Sequence, residues 1–285
     1  MEATALIEIA IDGIARGLLF ALLGAGITLV FGLGNVLNLS LGVFSVITVV
    51  AGVAVVPYVP NAVVAAVLSL GFVAVLGLSI DRTLLSSVYR SNGEERILLG
   101  IFTTLGLAIL LDGILYVYYP LNYSFPYTGL SLSMGGVSVR ESTSIILLVS
   151  SALLLALFVF LRKTYLGKAA RTVFQDETGA LLCGIDPRAI RSLTFVLSVV
   201  LAGVAGILWS TQSAISVATG FELTIFAIIV SIVGGVRNIE GTIGAGVFLG
   251  LVITFGNFFV GAYVSMVILF AVVVTVLILR PEEIA

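Results

Sequence analysis

The side chains able to do chemistry in this sequence are few, and they stand almost alone in apolar surroundings. Asn35, Asn38 and Ser40 interrupt one long apolar block, and Gln212, Thr219 and Asn238 stand inside or beside others. All six both donate and accept hydrogen bonds without carrying charge. Groups of that kind suit a translocation path, because they can pass a polar solute along without trapping it. The residue types that activate nucleophiles or hold metals are missing. There is no histidine and one cysteine, Cys183, so zinc, haem or iron–sulfur ligation and an activated serine or cysteine are not expected. No catalytic and no metal-ligating residue is assigned, and the chain is not expected to be an enzyme.

Three charged features need their own reading. Asp112 lies within an apolar stretch, where a carboxylate must face protein, water or the outer interface, and Tyr116, Tyr118 and Tyr119 mark an interface close by. Glu222 opens an apolar segment, where an acid at a helix N-terminus favours the macrodipole, so capping is its expected role. Glu8, Asp12 and Arg16 recur at four-residue spacing and make one polar stripe on the first helix.

The elements that carry these groups follow from composition. The chain has 285 residues, 60% hydrophobic and 10% charged, whereas soluble domains run at about 25% charged. It cannot cover itself with polar surface. No Asp, Glu, Lys or Arg occurs between Arg16 and Asp81, or from Gly241 to Leu279. As one helix the first stretch would measure roughly 95 Å against a hydrocarbon core of about 30 Å, so it must cross about three times, and the second about twice. Apolar spans are read at Ile14–Leu33, Leu39–Val56, Val63–Ile80, Ile97–Tyr119, Ser144–Leu161, Ile190–Ser210, Leu223–Val236, Gly244–Val260 and Val264–Leu279. The fold class is therefore all-α, a polytopic transmembrane helical bundle with about 8–10 spans, some of them broken or re-entrant. Residues 1–285 read as a single transmembrane domain.

Basic residues orient the bundle, since Lys and Arg are retained on the cytoplasmic side. Arg82, Arg90 and Arg96 share one connection; Arg162, Lys163, Lys168, Arg171, Arg188 and Arg191 share another two spans later, on the same side. Arg237 and Arg280 then also fall inside, leaving Arg16 and Arg140 as exceptions among thirteen, and the C-terminus is expected in the cytoplasm. The side of the N-terminus stays open, because one re-entrant segment would reverse it. Met1 to Ala10 carries two glutamates and no basic residue, so no signal-peptide n-region is read there. A net charge of −2 and no basic run speak against a nucleic-acid partner.

Two regions are poor simple helices: Gly32, Gly34, Asn35, Asn38, Ser40 and Gly42, and Gly234, Gly235, Asn238, Gly241, Gly244 and Gly246. Helix breaks there would face a watery cavity or protein, and half-helix ends near Gly34 and Gly241 could aim partial charges at a zwitterion. Close packing of small residues between helices is the alternative. The two interruptions resemble each other loosely, as an inverted repeat would.

The polar segment 162–191 has internal structure. Asp176 and Glu177 precede a short apolar turn, Ala180 to Cys183, and Gly184 suits the left-handed residue that ends a helix. Asp186 followed by Pro187 is an N-cap with proline at the first helical position, opening the next span. The small apolar face of Ala180, Leu181 and Leu182 must dock on something, either a soluble partner or the chain's own membrane.

Here the chain resembles the permease subunits of branched-chain amino acid ABC importers, in the type II importer group. The resemblance rests on Tyr165-Leu166-Gly167-Lys168-Ala169-Ala170-Arg171, Asp176-Glu177 and Ala180-Leu181-Leu182-Cys183-Gly184-Ile185-Asp186, which look like that family's cytoplasmic coupling loop ahead of a Leu193-Thr194-Phe195 span. Further matches are Gly203-Val204-Ala205-Gly206-Ile207-Leu208, Gly234-Gly235-Val236-Arg237 through Gly244-Ala245, and Phe31-Gly32 with Val36-Leu37-Asn38-Leu39-Ser40-Leu41-Gly42. The family often has a Gly-Ser-Ile-Pro-Gly-like sequence at Asn238–Gly241 and an Ala-His-Gly-like one at Ser40–Gly42. These departures bear on substrate more than on fold.

The resemblance implies a permease for branched-chain or related amino acids in a five-part machine at the cell membrane. Its other parts would be a second permease subunit, two ABC ATPase subunits and an extracytoplasmic substrate-binding protein, with membrane lipid around the permeases. It also implies that Gly167, Lys168, Arg171, Asp176, Glu177, Ala180, Leu181, Leu182 and Gly184 serve ATPase coupling. No Gly-x-x-x-x-Gly-Lys-Ser/Thr loop is present, so this chain is expected to bind no cofactor, with ATP and Mg in the partner ATPases. Urea or a short amide is the runner-up substrate. An ion-coupled secondary transporter would share the broken helices, but of the carboxylates and histidines its proton relays use, only Asp112 stands inside a span.

Overall fold

The computed structural model describes residues 3–91, 93–126, 132–134 and 137–279. Among them are nine helices long and apolar enough to cross a membrane, and each overlaps one of the spans read from the sequence. They belong to α1 (Ala3–Gly34), α2 (Leu41–Val55), α3 (Ala62–Ile80), α5 (Gly93–Tyr118), α6 (Glu141–Lys163), α9 (Pro187–Ser210), α10 (Val217–Gly234), α11 (Ile239–Val260) and α12 (Ala262–Leu279). A π-helical stretch, Asp81–Leu85, and the short α4 (Ser86–Val88) lengthen the third span. A two-stranded antiparallel hairpin, β1 (Leu132–Met134) with β2 (Val137–Val139), sits in the connection between α5 and α6. The polar segment before α9 folds as α7 (Tyr165–Gln175) and α8 (Glu177–Leu182).

The first helix is the axis of the bundle: 78% of its most apolar window is buried, against 17% for α12. It runs antiparallel to α11 at backbone contact. Gly250 lies so close to Gly17 that a Cβ on it would come 2.3 Å from the Gly17 Cα, and a Cβ on Gly246 would come 2.7 Å from the Ala21 nitrogen. Helices in lipid gain little from burying leucine against leucine, so close approach of small residues and interhelical hydroxyl bonds must hold them together. Thr28 of α1 supplies such bonds, at 2.8 Å to Ser231 of α10 and 3.0 Å to Thr242 of α11.

The polarity of the bundle is legible from its two ends. At one end Thr143 donates to Asp12 (2.7 Å) and accepts from Gln212 (3.2 Å), joining the starts of α1 and α6 to the end of α9. At the other, Arg162 at the end of α6 pairs with Glu240 at the start of α11 (2.8 Å). The segment 164–186 belongs to this second end, and α12 turns back toward it from Gly261. Arg280, read above as basic at that end, lies outside the described residues, as do Met1 and Glu2.

Two sequence expectations are corrected. Gly42, Gly241, Gly244 and Gly246 do not break helices; they sit inside α2 and α11. For Gly42 and Gly246 the reason is packing, since a Cβ on Gly42 would come 1.9 Å from the Gly220 carbonyl oxygen. The true interruptions are residues 35–40 and 235–238. They differ in form: the first is an irregular stretch entered at Asn35 (φ 51°) and left through a turn at Leu39 and Ser40, and the second a tight turn at Gly235 (φ 89°). Glu222 caps nothing, because α10 starts earlier, at a capping box made by Ser216 and Thr219.

Gly42 and Gly71 are both helical glycines, but only Gly42 meets a neighbouring backbone; nothing lies within 4 Å of a Cβ on Gly71. Gly42→Ala is expected to lower stability by about 2 kcal/mol or more through overpacking, and Gly71→Ala to leave it equal or higher. Thermal unfolding of the detergent-solubilised variants checks this, with equal midpoints contradicting the close approach.

Candidate functional site

The loop between α6 and α9 is built from local signals in close succession. Thr164 opens α7 by accepting from the Gly167 N–H (3.1 Å). The turn is tight enough that a Cβ on Gly167 would come 2.3 Å from the Phe160 carbonyl oxygen. Gly167 therefore permits the fold of the loop and is itself buried, while Lys168 and Arg171 stand exposed on α7. Asp176 ends α7 and caps α8, its carboxylate accepting from the Thr178 N–H at 3.0 Å. At the other end Gly184 takes the left-handed conformation (φ 77°); its N–H bonds the Leu181 carbonyl (3.0 Å) and that of Ile185 bonds the Ala180 carbonyl (2.9 Å). This pair of bonds is a Schellman closure, which satisfies carbonyls the short helix would otherwise leave open. Asp186 then caps α9, accepting from Arg188 N–H at 2.9 Å, with Pro187 in the first turn.

Of the apolar face expected on this helix, Ala180 is fully buried, in a small cluster with Ala169, Ala170, Val173 and Ile190. That corrects the expectation that it faces outward: a residue closed inside the chain cannot meet a partner. Leu181 and Leu182 remain, 57% and 85% exposed. These two adjacent leucines on a doubly capped helix are the apolar surface that α8 presents, beside the exposed Tyr165 and Leu166 of α7.

Glu177 is an internal clamp. Its Oε2 accepts from Arg191 Nη2 of α9 (2.5 Å) and from Arg96 Nη1 of α5 (3.3 Å). Both guanidinium groups are buried, and Tyr89 lies under Arg191 with its ring centroid 5.3 Å away. Burial works to raise the Glu177 pKa, but the hydrogen bond and charge of Arg191, then those of Arg96, outweigh it and hold the carboxyl below its ordinary value. The sequence marked Glu177 as a coupling residue but not Arg96 or Arg191, which it read only as basic residues of their connections.

The six candidate path residues do not meet in one cavity. Asn35, Asn38 and Ser40 share the extended segment; Asn35 has φ 51°, which asparagine tolerates better than most residues. Asn38 and Ser40 are fully buried, and the Asn38 Oδ1 accepts from both the Ser40 N–H (3.1 Å) and its hydroxyl (2.7 Å). Among the described residues the Asn38 Nδ2 has no hydrogen-bond partner. Thr104 of α5 holds the same segment, accepting from Leu39 N–H at 3.1 Å with its hydroxyl 2.8 Å from the Leu37 carbonyl. Gln212 and Thr219 lie at the opposite end of the bundle from the loop, in the Thr143 contact and the α10 cap. Asn238 is exposed at the loop end, where it caps α11 by accepting from Gly241 N–H (3.1 Å). Asp112 is half-buried on α5, whose neighbouring residues Ile109 and Tyr116 are exposed.

Comparison with known proteins gives the same architecture a family. Residues 9–277 match the family described as branched-chain amino acid transport system, permease component. The high-affinity branched-chain amino acid transport permease BraD of Pseudomonas aeruginosa is 28% identical, over 96% of this chain and 94% of its own. The probable branched-chain amino acid transport permease LivH of Methanocaldococcus jannaschii is 29% identical over 82% of this chain and 75% of its own. Among solved structures, PsaBC from Streptococcus pneumoniae in complex with Fab aligns with a TM-score of 0.54 at 16% identity, covering 98% of this chain and 92% of that one, a likeness of fold.

Because the Glu177 pKa is lowered on folding, the clamp's contribution is full above the ordinary glutamate range and is lost as pH falls through the lowered folded value. A spin label on Cys183, the one cysteine and an exposed one, is expected to grow more mobile as pH falls below that range. Glu177→Gln should show the mobile spectrum already at neutral pH. Identical spectra for the two proteins at all pH values would mean that the clamp does not hold α8.

Proposed function

This chain belongs to the family of branched-chain amino acid transport permease components, and from that premise we propose that it is one transmembrane permease subunit of an ATP-binding cassette importer for branched-chain or related amino acids. The observation that carries the reading is the doubly capped α8 with Leu181 and Leu182 exposed. A membrane protein has no reason of its own to hold two leucines in water on a rigid, self-satisfied helix, whereas an ATPase subunit with an apolar groove would cover them.

In this reading the loop end faces the cytoplasm, and the C-terminus with it. The gathering there of Arg82, Arg90, Arg96, Arg162, Lys163, Lys168, Arg171, Arg188, Arg191 and Arg237 supports that side, by the rule that basic residues stay inside. Two ATPase subunits bind ATP and Mg, a second permease subunit completes the path, and an external binding protein selects the substrate. Closure of the ATPases pushes on α8. The Glu177 clamp passes that displacement to α5 through Arg96 and to α9 through Arg191. The α5 helix also grips the extended segment through Thr104, so movement of α5 bears on Asn35–Ser40, the part of the path candidates that lies within the bundle. Chemistry in this chain is limited to hydrogen-bond exchange with the passing solute.

Leu182→Glu is expected to abolish co-purification of the partner ABC ATPase while membrane insertion and a monodisperse elution profile are kept. Ala180→Glu should fail differently, by disordering the loop, because it puts a charge into a closed apolar cluster. Retention of the ATPase at the unsubstituted level by a well-folded Leu182→Glu protein would refute the proposed docking face.

A further inference from the structure

A second feature of the loop end lies apart from Leu181, Leu182 and the Glu177 clamp. A cavity of ≈ 240 Å³ lies between the ends of α1 and α6, the helix α7 and the start of α11. Three guanidinium groups, those of Arg162, Arg171 and Arg237, line it, against one carboxylate, Glu240. The Arg162–Glu240 pair bridges its rim with both side chains more than half exposed, so it is weakly held and easily exchanged. Among the described residues no carboxylate lies within ion-pair distance of the other two arginines. Arg171 reaches the Arg162 carbonyl at 3.4 Å, and the Arg237 guanidinium lies over the Phe174 ring, 5.0 Å from its centroid. The cavity thus concentrates two positive charges in excess of its one acid.

Apart from Thr28 and Asn238 its other walls are apolar, with Phe158 and Leu161 of α6 among them. From its mouth a stripe of exposed side chains runs along α6 toward the opposite end: Val159 (43%), Leu155 (64%) and Leu148 (70%), at the spacing that keeps one helix face. A cationic pocket at the end of a membrane helix, opening onto an apolar stripe of that helix, has the two-part form of a phospholipid. Guanidinium forks match phosphate oxygens in pairs, and basic pockets between helices at the cytoplasmic boundary are where anionic headgroups bind.

We propose that the cavity bounded by Arg162, Arg171 and Arg237 is a binding site for the phosphate headgroup of an anionic phospholipid, whose acyl chain lies along Val159, Leu155 and Leu148. The site needs only that the chain sits in a membrane, so it stands or falls apart from the importer reading. Bound lipid would tie α7 to α6 and α11 and so stiffen the base on which α8 is carried.

The test is native mass spectrometry of the full chain, with any subunits that remain bound to it, released from mixed micelles containing equal dioleoyl phosphatidylglycerol and phosphatidylcholine. Preferential retention of phosphatidylglycerol is expected, falling about fivefold or more in Arg171→Gln/Arg237→Gln and largely kept in Arg171→Lys/Arg237→Lys. A photoactivatable phosphatidylglycerol should cross-link the unsubstituted protein within residues 155–171. Should the glutamine protein fail to elute as a single peak, the cross-link in the unsubstituted protein and its loss on adding unlabelled phosphatidylglycerol decide the matter. Equal retention of the two lipids, unchanged retention in a well-folded glutamine variant, or displacement of the label by millimolar inorganic phosphate as readily as by lipid would each overturn the proposal, the last assigning the pocket to free phosphate.

Discussion

Every backbone N–H and C=O inside a bilayer must find a partner within the protein, because hydrocarbon offers none, and most of this structure is an answer to that constraint. The nine membrane-length helices among the described residues close their own hydrogen bonds. The departure at 35–40 is permitted because neighbouring side chains stand in for the missing helical partners. Thr104 accepts from Leu39, Asn38 accepts from Ser40, and Thr224 accepts from the Gly42 N–H at 2.9 Å. Thr104 of α5, Thr224 of α10 and the stretch's own Asn38 thus hold open chain that would otherwise wind into helix. This non-helical stretch still leaves one buried amide nitrogen, the Asn38 Nδ2, without a hydrogen-bond partner among the described residues.

The same constraint explains why glycine is so abundant. With burial of apolar surface giving little net attraction between helices in lipid, adhesion depends on how closely backbones approach. Gly17, Gly246 and Gly250 let α1 and α11 touch backbone to backbone, and Gly42 does so for α2 against α10. The result is a rigid centre around α1, with α5 and α12 at the exposed periphery. Motion that opens a path is accordingly easier to accommodate in α5, which is both peripheral and connected to the loop through Arg96 and to the extended segment through Thr104.

Outside the bilayer the loop follows ordinary aqueous rules. Caps, a Schellman closure and a small alanine-rich cluster make a compact unit between α6 and α9, and the charge clamp at Glu177 fixes its attitude to the spans. Two faces result. One carries the exposed Leu181 and Leu182; the other, lined by arginines, looks back toward the ends of α1, α6 and α11. The unit can therefore meet a soluble partner and the membrane surface at once, without either contact competing for the other's residues.

Much of this was readable from residues alone, for reasons that are local. Span number and placement follow from unbroken apolar blocks, since insertion depends on composition summed along one segment. The capping roles of Asp176, Gly184, Asp186 and Pro187 are encoded within a turn of the chain and came out as read. What depended on distant contacts did not. Glycine spacing cannot tell a break from a close crossing, because both need the missing Cβ and only the partner backbone, Gly220 for Gly42 or Ala21 for Gly246, decides between them. Which way Ala180 points depends on Val173 and Ile190 lying beside it. The pairing of Glu177 with Arg96 and Arg191, and the convergence of Arg162, Arg171 and Arg237, join residues from separate spans, and such contacts exist only once the helices have packed.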